Sequence, residues 1–199
     1  MRISRFIVFG IAILFFATGL IAQDIEFKLE SINDFRIEGD SNVRKWEGII
    51  NSADGRLVFA DAEELDFGNL QPEHFKNLRL SIPVADISSD SGILTNNIHN
   101  NLKKNDHPNI TFRLNDIVSV TNSNGRTVIT AIGTINAAGS NHQVTMNVNA
   151  ELINENTLRF SGHQDMLMTD FNIDPPSAMM GAFRSVDEIT IVFDVLFIK

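Results

Sequence analysis

The 199-residue sequence has no cysteine and no tyrosine, and only one tryptophan, Trp46. Without cysteine there is no disulfide, no thiolate nucleophile, no Cys-ligated zinc or iron–sulfur cluster, and no lipid anchor on an N-terminal Cys. Without tyrosine there is no phenolic hydroxyl to orient a polar ligand. Basic residues are also scarce: 16 Lys+Arg stand against 25 Asp+Glu, a formal charge of −9. An acidic chain with no basic stripe is not built to bind nucleic acid, nor does it gain electrostatically at an anionic membrane surface. Patterns of catalysis are missing too. There is no GxSxG elbow and no Gly-rich phosphate loop. The five histidines, His74, His99, His107, His142 and His163, make no HxH or HExxH spacing, so neither a metal site nor a cofactor is expected. Glu63-Glu64 and Asp187-Glu188 are sequence neighbours, and neighbours in a strand point to opposite faces, so neither pair works as two facing carboxylates.

What the chain does have is apolar supply. It is 43% hydrophobic with 15 Phe, and beyond the N-terminus its methionines all lie late: Met146, Met166, Met168, Met179 and Met180. Phe offers large flat area and Met adapts to irregular shapes, a pairing that suits an apolar cavity as well as an ordinary core. The N-terminus reads as an export signal. Arg2 and Arg5 precede an uncharged, Phe/Ile/Leu-rich run from Phe6 to Ala22, and polarity begins at Gln23. Cleavage is expected after Ala22, with Gly19 as the alternative point. The expected organisation is therefore a signal peptide over 1–22 and one domain over 23–199. Removing the signal takes two arginines and no acid, which leaves 177 residues with a charge of −11. The expected location is the bacterial periplasm or outside the cell, with no membrane anchor after cleavage.

The remaining chain alternates in polarity at the period of strands. Glu26–Ile32 and Phe35–Glu38 open it as two segments, followed by Val43–Ile50. Asp54-Gly55 reads as a hairpin turn between Gly48–Ser52 and Arg56–Ala60. Leu78, Leu80, Ile82 and Val84 share one face of a strand that Pro83 ends or places at an edge. Ile110, Phe112 and Leu114 share a face of the next strand, and Asn124-Gly125 then marks a tight hairpin. Ala138–Asn141 is the next turn. Val144, Met146, Val148, Ala150 and Leu152 alternate after it. The last strand, Glu188–Ile198, is apolar on both faces, which predicts cover on both sides. One segment has helical period: Leu94, Ile98 and Leu102 recur within Ser88–Asn105, with Ser88, Ser89 or Asp90 as N-cap and His107-Pro108 as stop. Met166–Arg184 reads as a strand, a Pro-Pro break and a Met-rich loop. About eight strands at hairpin spacing with one amphipathic helix make a single all-β domain, either a barrel or a sandwich.

Three stretches resemble the YceI family of lipid- and polyisoprenoid-binding secreted proteins. The first is Ser41 to Trp46. The second runs from Asn101-Leu102-Lys103-Lys104 through His107-Pro108-Asn109-Ile110-Thr111-Phe112. The third is Gly133-Thr134-Ile135 through Val144, then Met168 to Ile173 and Asp187 to Phe193. The resemblance covers about residues 30–199. It implies a lipocalin-like antiparallel β-barrel with a helix across it and a long apolar interior, and a non-enzymatic carrier of an isoprenoid or other long-chain amphiphilic lipid. The expected wall residues are Leu80, Ile82, Val84, Phe112, Leu114, Val144, Met146, Val148, Ile191 and Phe193, with Met179 and Met180 at a mobile mouth. The other readings are a filled barrel that acts as a structural or interaction domain in the envelope, and an enzyme acting on a lipid, which would need a polar constellation that the sequence does not display.

Overall fold

Alternation of polar and apolar residues places every second side chain on one face of a sheet, and a sheet with one apolar face must bury it. Here it does so by curling on itself. The computed structural model describes residues 24–60, 67–123, 126–178 and 183–199. Among the described residues there are eleven strands: β1 (Ile25–Ser41), β2 (Trp46–Ile50), β3 (Asp54–Phe59), β4 (Phe75–Pro83), β5 (Ile87–Ser88), β6 (Asn109–Ser123), β7 (Arg126–Ala137), β8 (Ser140–Asn154), β9 (Thr157–Leu167), β10 (Ser177–Ala178) and β11 (Phe183–Ile198). One helix, α1 (Gly92–Asn101), lies between β5 and β6. Eight strands form a closed antiparallel ring in the order β1-β11-β9-β8-β7-β6-β4-β3 and back to β1. The fold is thus a barrel, and the sandwich is excluded.

Closure depends on β1. It pairs with β11 from Lys28–Ile198 to Ser41–Ser185. On its other edge it pairs with β3 through Ile25–Lys28 and with β2 through Arg36–Gly39. What the sequence presents as two strand segments is one strand of 17 residues. The register slips between Leu29 and Ser31 and again between Ile32 and Asp34. Each one-residue bulge would turn the following side chains to the opposite face. Two bulges three residues apart keep Leu29, Ile32 and Phe35 on the inside, facing Phe197, Val195 and Phe193 respectively. β6 carries the same device: slips between Leu114 and Asp116 and between Ile117 and Ser119 bring Leu114, Ile117 and Val120 opposite Gly133, Ala131 and Ile129.

Several expectations need correction. Asp54-Gly55 makes no hairpin turn. Both residues belong to β3, opposite Ser81 and Leu80, and β2 and β3 pair with different parts of β1. The chain turns earlier, where Asn51 and Ser52 are held by Asp86: Asn51 donates its backbone N–H and side-chain amide to the Asp86 carbonyl, and Ser52 Oγ bonds its carboxylate. The outer face of β11 is not covered, since Val192 and Leu196 are half-buried and Ile198 is exposed. The helix starts later than expected, with Ser91 as N-cap accepting from the Leu94 N–H. The strand end at Pro83 and the apolar stripe of Leu94, Ile98 and Leu102 are as expected. Ser123 pairs with Arg126, as a two-residue hairpin requires; Asn124 and Gly125 themselves lie outside the described residues.

Two interactions hold the seam. Asp194 on β11 accepts a forked pair of hydrogen bonds from Arg159 on β9, at 2.8 and 2.6 Å, and a third from Asn33 on β1 at 3.2 Å. The Arg159 hydrogen bonds hold the Asp194 carboxyl below its ordinary value, against the opposing effect of partial burial. At the other end of the seam the Trp46 indole lies over Gly39. A Cβ at Gly39 would come within 2.1 Å of the ring, while the indole N–H donates to the Ser185 hydroxyl and the Asp40 carbonyl.

Two outcomes follow from this seam. Gly39→Ala must displace an anchored indole, and overpacking of this kind costs roughly 1–3 kcal/mol, read as a lower denaturation midpoint in urea. A carboxylate with a depressed pKa contributes stability above its unfolded pKa and loses it as pH falls through the folded value. Asp194→Asn is therefore less stable than the wild type at pH 7, and the difference shrinks as pH drops below 3.8, the ordinary value. Thermal denaturation of both proteins across pH 2–7 checks the sign.

Candidate functional site: a hollow barrel interior

The inward faces of the strands are almost entirely apolar, and they do not fill the space between them. One end is filled. Phe27, Leu57, Phe59, Leu70 and Leu158 are at most 1% exposed there. Their rings interlock edge to face, Phe27 with Phe59 at 5.9 Å and Phe160 with Phe197 at 5.7 Å, and Phe75 tilts against Phe59 at 5.0 Å. Above this plug lies a cavity of about 190 Å³, more than ten times the space one water needs by the same kind of measure. Met146, Val148, Phe160, Ile191 and Phe193 are only half-buried despite pointing inward; the surface they retain is cavity wall. Gln164 is the only polar residue on that wall among the described residues. Its amide nitrogen donates to the Asp165 carbonyl at 2.9 Å.

At the opposite end lie α1 and the turn Met168–Phe171 that follows β9, with Leu102, Met168 and Phe171 on the cavity wall. A second, smaller pocket of about 100 Å³ sits there, between α1, Trp46 and the start of β11. The helix is pinned by its buried histidine. His99 donates from Nε2 to the Ile87 carbonyl at 2.8 Å and accepts at Nδ1 from the Lys104 ammonium at 3.2 Å. His99 and Thr127 are the only buried polar residues among those described.

Of the residues expected on the wall, the structure brings Leu80, Ile82, Phe112, Leu114, Met146, Val148, Ile191 and Phe193 together around the cavity. Val84 and Val144 are elsewhere. Val84 is past the end of β4, in a 3-10 turn, and is 1% exposed in the solid core. Its alternation with Ile82 ends at Pro83, whose backbone leaves the strand. Val144 faces inward on β8 but is packed in the core, opposite Gly133, and does not reach the cavity. Met179 and Met180 lie outside the described residues. Sequence reasoning missed Leu29, Phe35 and Ile117, whose spacing of three hides them from a period-two pattern until the bulges are known. It also missed Phe75, Phe160 and Met168, which lie near strand ends. Among the described residues no three His, Asp or Glu side chains are placed to hold a metal ion.

An eight-stranded closed barrel with an apolar hollow, a solid floor and a helical cover defines the class of small-ligand-binding barrels. Within that class the chain belongs to the YceI family: its YceI-like domain spans residues 22–197. Solved structures of similar fold include BcnA of Burkholderia cenocepacia, at 16% identity over 81% of this chain and 95% of that one, with a TM-score of 0.59. A polyisoprenoid-binding domain from Saccharophagus degradans, implicated in plant cell wall breakdown, matches at 8% identity over 86% and 97% with a TM-score of 0.63. The Campylobacter jejuni YCEI protein matches at 15% identity over 76% and 84% with a TM-score of 0.57. At these identities the likeness establishes the fold alone. No curated protein matches the chain.

The anchoring of the helix generates its own expected outcome. His99→Leu removes the donor to a carbonyl in a buried setting, and an unsatisfied buried acceptor costs about 1–3 kcal/mol. The urea midpoint falls accordingly; an unchanged midpoint would mean that α1 is held by its apolar stripe alone.

Proposed function

We propose that the protein is a non-enzymatic binding protein that sequesters or transports an isoprenoid or other long-chain amphiphilic lipid in the barrel interior. The observation that carries this reading is the cavity: about 190 Å³ of space lined by apolar side chains and a single amide. Such a wall offers burial and almost nothing else. At roughly 25 cal/mol per Å² of apolar surface removed from water, each 100 Å² of ligand chain contributes about 2.5 kcal/mol before association costs. An apolar hollow favours a hydrocarbon chain over a compact polar molecule, whose polar groups would go unpaired there. The polyisoprenoid-binding domain among the similar structures supports the same ligand class. The N-terminal pattern of basic start, apolar run and small residue at Ala22 supports export to the periplasm or beyond, with cleavage leaving residues 23–199. A filled-barrel interaction domain is the weaker reading, because a filled barrel would not hold this space.

Native mass spectrometry of protein purified from an exported fraction tests carriage directly. A bound mass of isoprenoid or fatty-chain character is expected, and organic extraction identifies it. Val148→Trp places an indole in the hollow from β8 and is expected to weaken uptake of a long-chain prenol by at least about tenfold, the equivalent of 1.4 kcal/mol, with the far-UV circular dichroism spectrum retained. Unchanged affinity in that variant would remove the cavity from the binding site.

A further inference from the structure

The ring is not stitched evenly. β8 pairs with β7 at eleven positions, and β9 with β11 at eleven. Between β8 and β9 the ladder runs only from the Asn154/Thr157 pair to the Val148/Gly162 pair. Past that point residues 140–147 of β8 and 163–167 of β9 are paired on their other edges alone. Side chains do not replace the missing ladder. Asn147 accepts from the Thr130 hydroxyl on β7, Asp165 accepts from the Thr190 hydroxyl on β11, and Gln164 donates to the Asp165 carbonyl of its own strand. All three polar groups beside the seam bond away from it. Only at the far end is the seam fastened again, by side chains at the turn after β9: Asn172 donates to the Ser140 hydroxyl at 2.8 Å, and His142 stands 3.6 Å from the Asp170 carboxylate.

This stretch is level with the cavity. The β8–β9 register, carried past Val148/Gly162, sets Met146 opposite Gln164, and both are half-buried on the cavity wall. The laddered part of the seam holds Leu158 and Phe160, at the phenylalanine floor. The other short ladders are covered. The chain runs directly from β2 to β3 along β1, and the turn Pro72–His74 that precedes β4 lies against β6.

We infer that the lipid enters and leaves the barrel sideways, through the β8–β9 seam between the Val148/Gly162 pair and the His142–Asp170 contact. The inference rests on the carrier reading above and adds its route. Parting a laddered seam breaks backbone hydrogen bonds, and every group left unpaired in an apolar setting is costly. Parting this stretch breaks no ladder bond among the described residues. The inward side chains beside it, Met146, Gln164 and Met166, are unbranched and can swing aside, the methionines most easily. The floor offers no such route, since Phe27, Leu57 and Phe59 are at most 1% exposed. At the other end α1 is anchored through His99.

The chain has no cysteine, so two introduced thiols are the only ones. Thr145→Cys/Asp165→Cys puts them on the exposed outer face, opposite each other in the continued register. A bis-maleimide joins them, and the intact mass under denaturing conditions confirms the bridge. Uptake of all-trans-geranylgeraniol is followed in time by native mass spectrometry. Before bridging, the variant is expected to load as the wild type does. After bridging, uptake is expected to slow at least about tenfold, with the far-UV circular dichroism spectrum retained, and bridging after loading slows release to the same degree. A second variant, Asn97→Cys/Pro176→Cys, tethers α1 across the smaller pocket and is expected to load at the wild-type rate after bridging. Uptake that stays fast with the β8–β9 bridge, or that slows as much or more with the α1 tether, overturns the seam as the route and leaves carriage intact. Failure of the wild type and both unbridged variants to load overturns the carrier reading and this inference with it.

Discussion

The pairing of β1 with β11 is the constraint on which everything else depends. A sheet of this length with free edges would expose two rows of unpaired backbone groups and could splay. Closing it turns every inward-facing residue toward one shared interior. Closure also fixes parity: once Phe193 faces Phe35 and Ile191 faces Ile37, the side of every other residue in the ring follows from the ladder. The bulges in β1 and β6 adapt the ring to that demand, since they let two long strands bend while returning their apolar residues to the inside. Asp194 reinforces the seam from outside by gathering hydrogen bonds from β9 and β1 at one carboxylate.

Within the closed ring, the chain is packed densely at one end and left hollow toward the other. The interlocked phenylalanines form the floor. Above them, residues such as Ala131, Ala137 and Val148 are too small to meet across the lumen. An empty space of about 190 Å³ would cost on the order of 5 kcal/mol relative to a filled one. A natural sequence could have avoided that cost by substituting larger side chains on the wall. That it keeps the space, and keeps it apolar, is the physical argument for a bound hydrocarbon chain, which recovers the lost contacts. The helix lies at the other end, where His99 fixes its position through the Ile87 carbonyl and Lys104.

Much of the wall was legible in the sequence, and the reasons are local. Leu80 and Ile82 on β4, Phe112 and Leu114 on β6, and Met146 and Val148 on β8 alternate with polar residues in unbroken strands, so period two identifies them. The pattern fails where the backbone departs from a plain ladder. Val84 continues the alternation in sequence but follows Pro83 into a turn. Leu29, Ile32 and Phe35 break the alternation in sequence but keep it in space. Asp54-Gly55 carries the composition of a hairpin turn, yet β1 offers separate pairing sites to the strands on either side, and Asp86 holds the true turn through Asn51 and Ser52. Depth is a further limit: Val144 faces inward as expected and still misses the cavity, because position along the barrel axis depends on register between strands and not on the strand's own residues.

The sequence by itself determined that the chain is all-β with one amphipathic helix, that it lacks the residue spacings of common catalytic and metal centres, and that its apolar residues fall on one face of most strands. These are consequences of local periodicity and composition, which act over a few residues and need no partner. Only the tertiary structure decided that the sheet closes, that the interior is hollow above a phenylalanine floor, and that Trp46, Asn97, Asn101 and Ser185, up to 139 residues apart, border one pocket. Those outcomes depend on cross-strand register and on the volume left between facing side chains, and both are properties of the assembled ring.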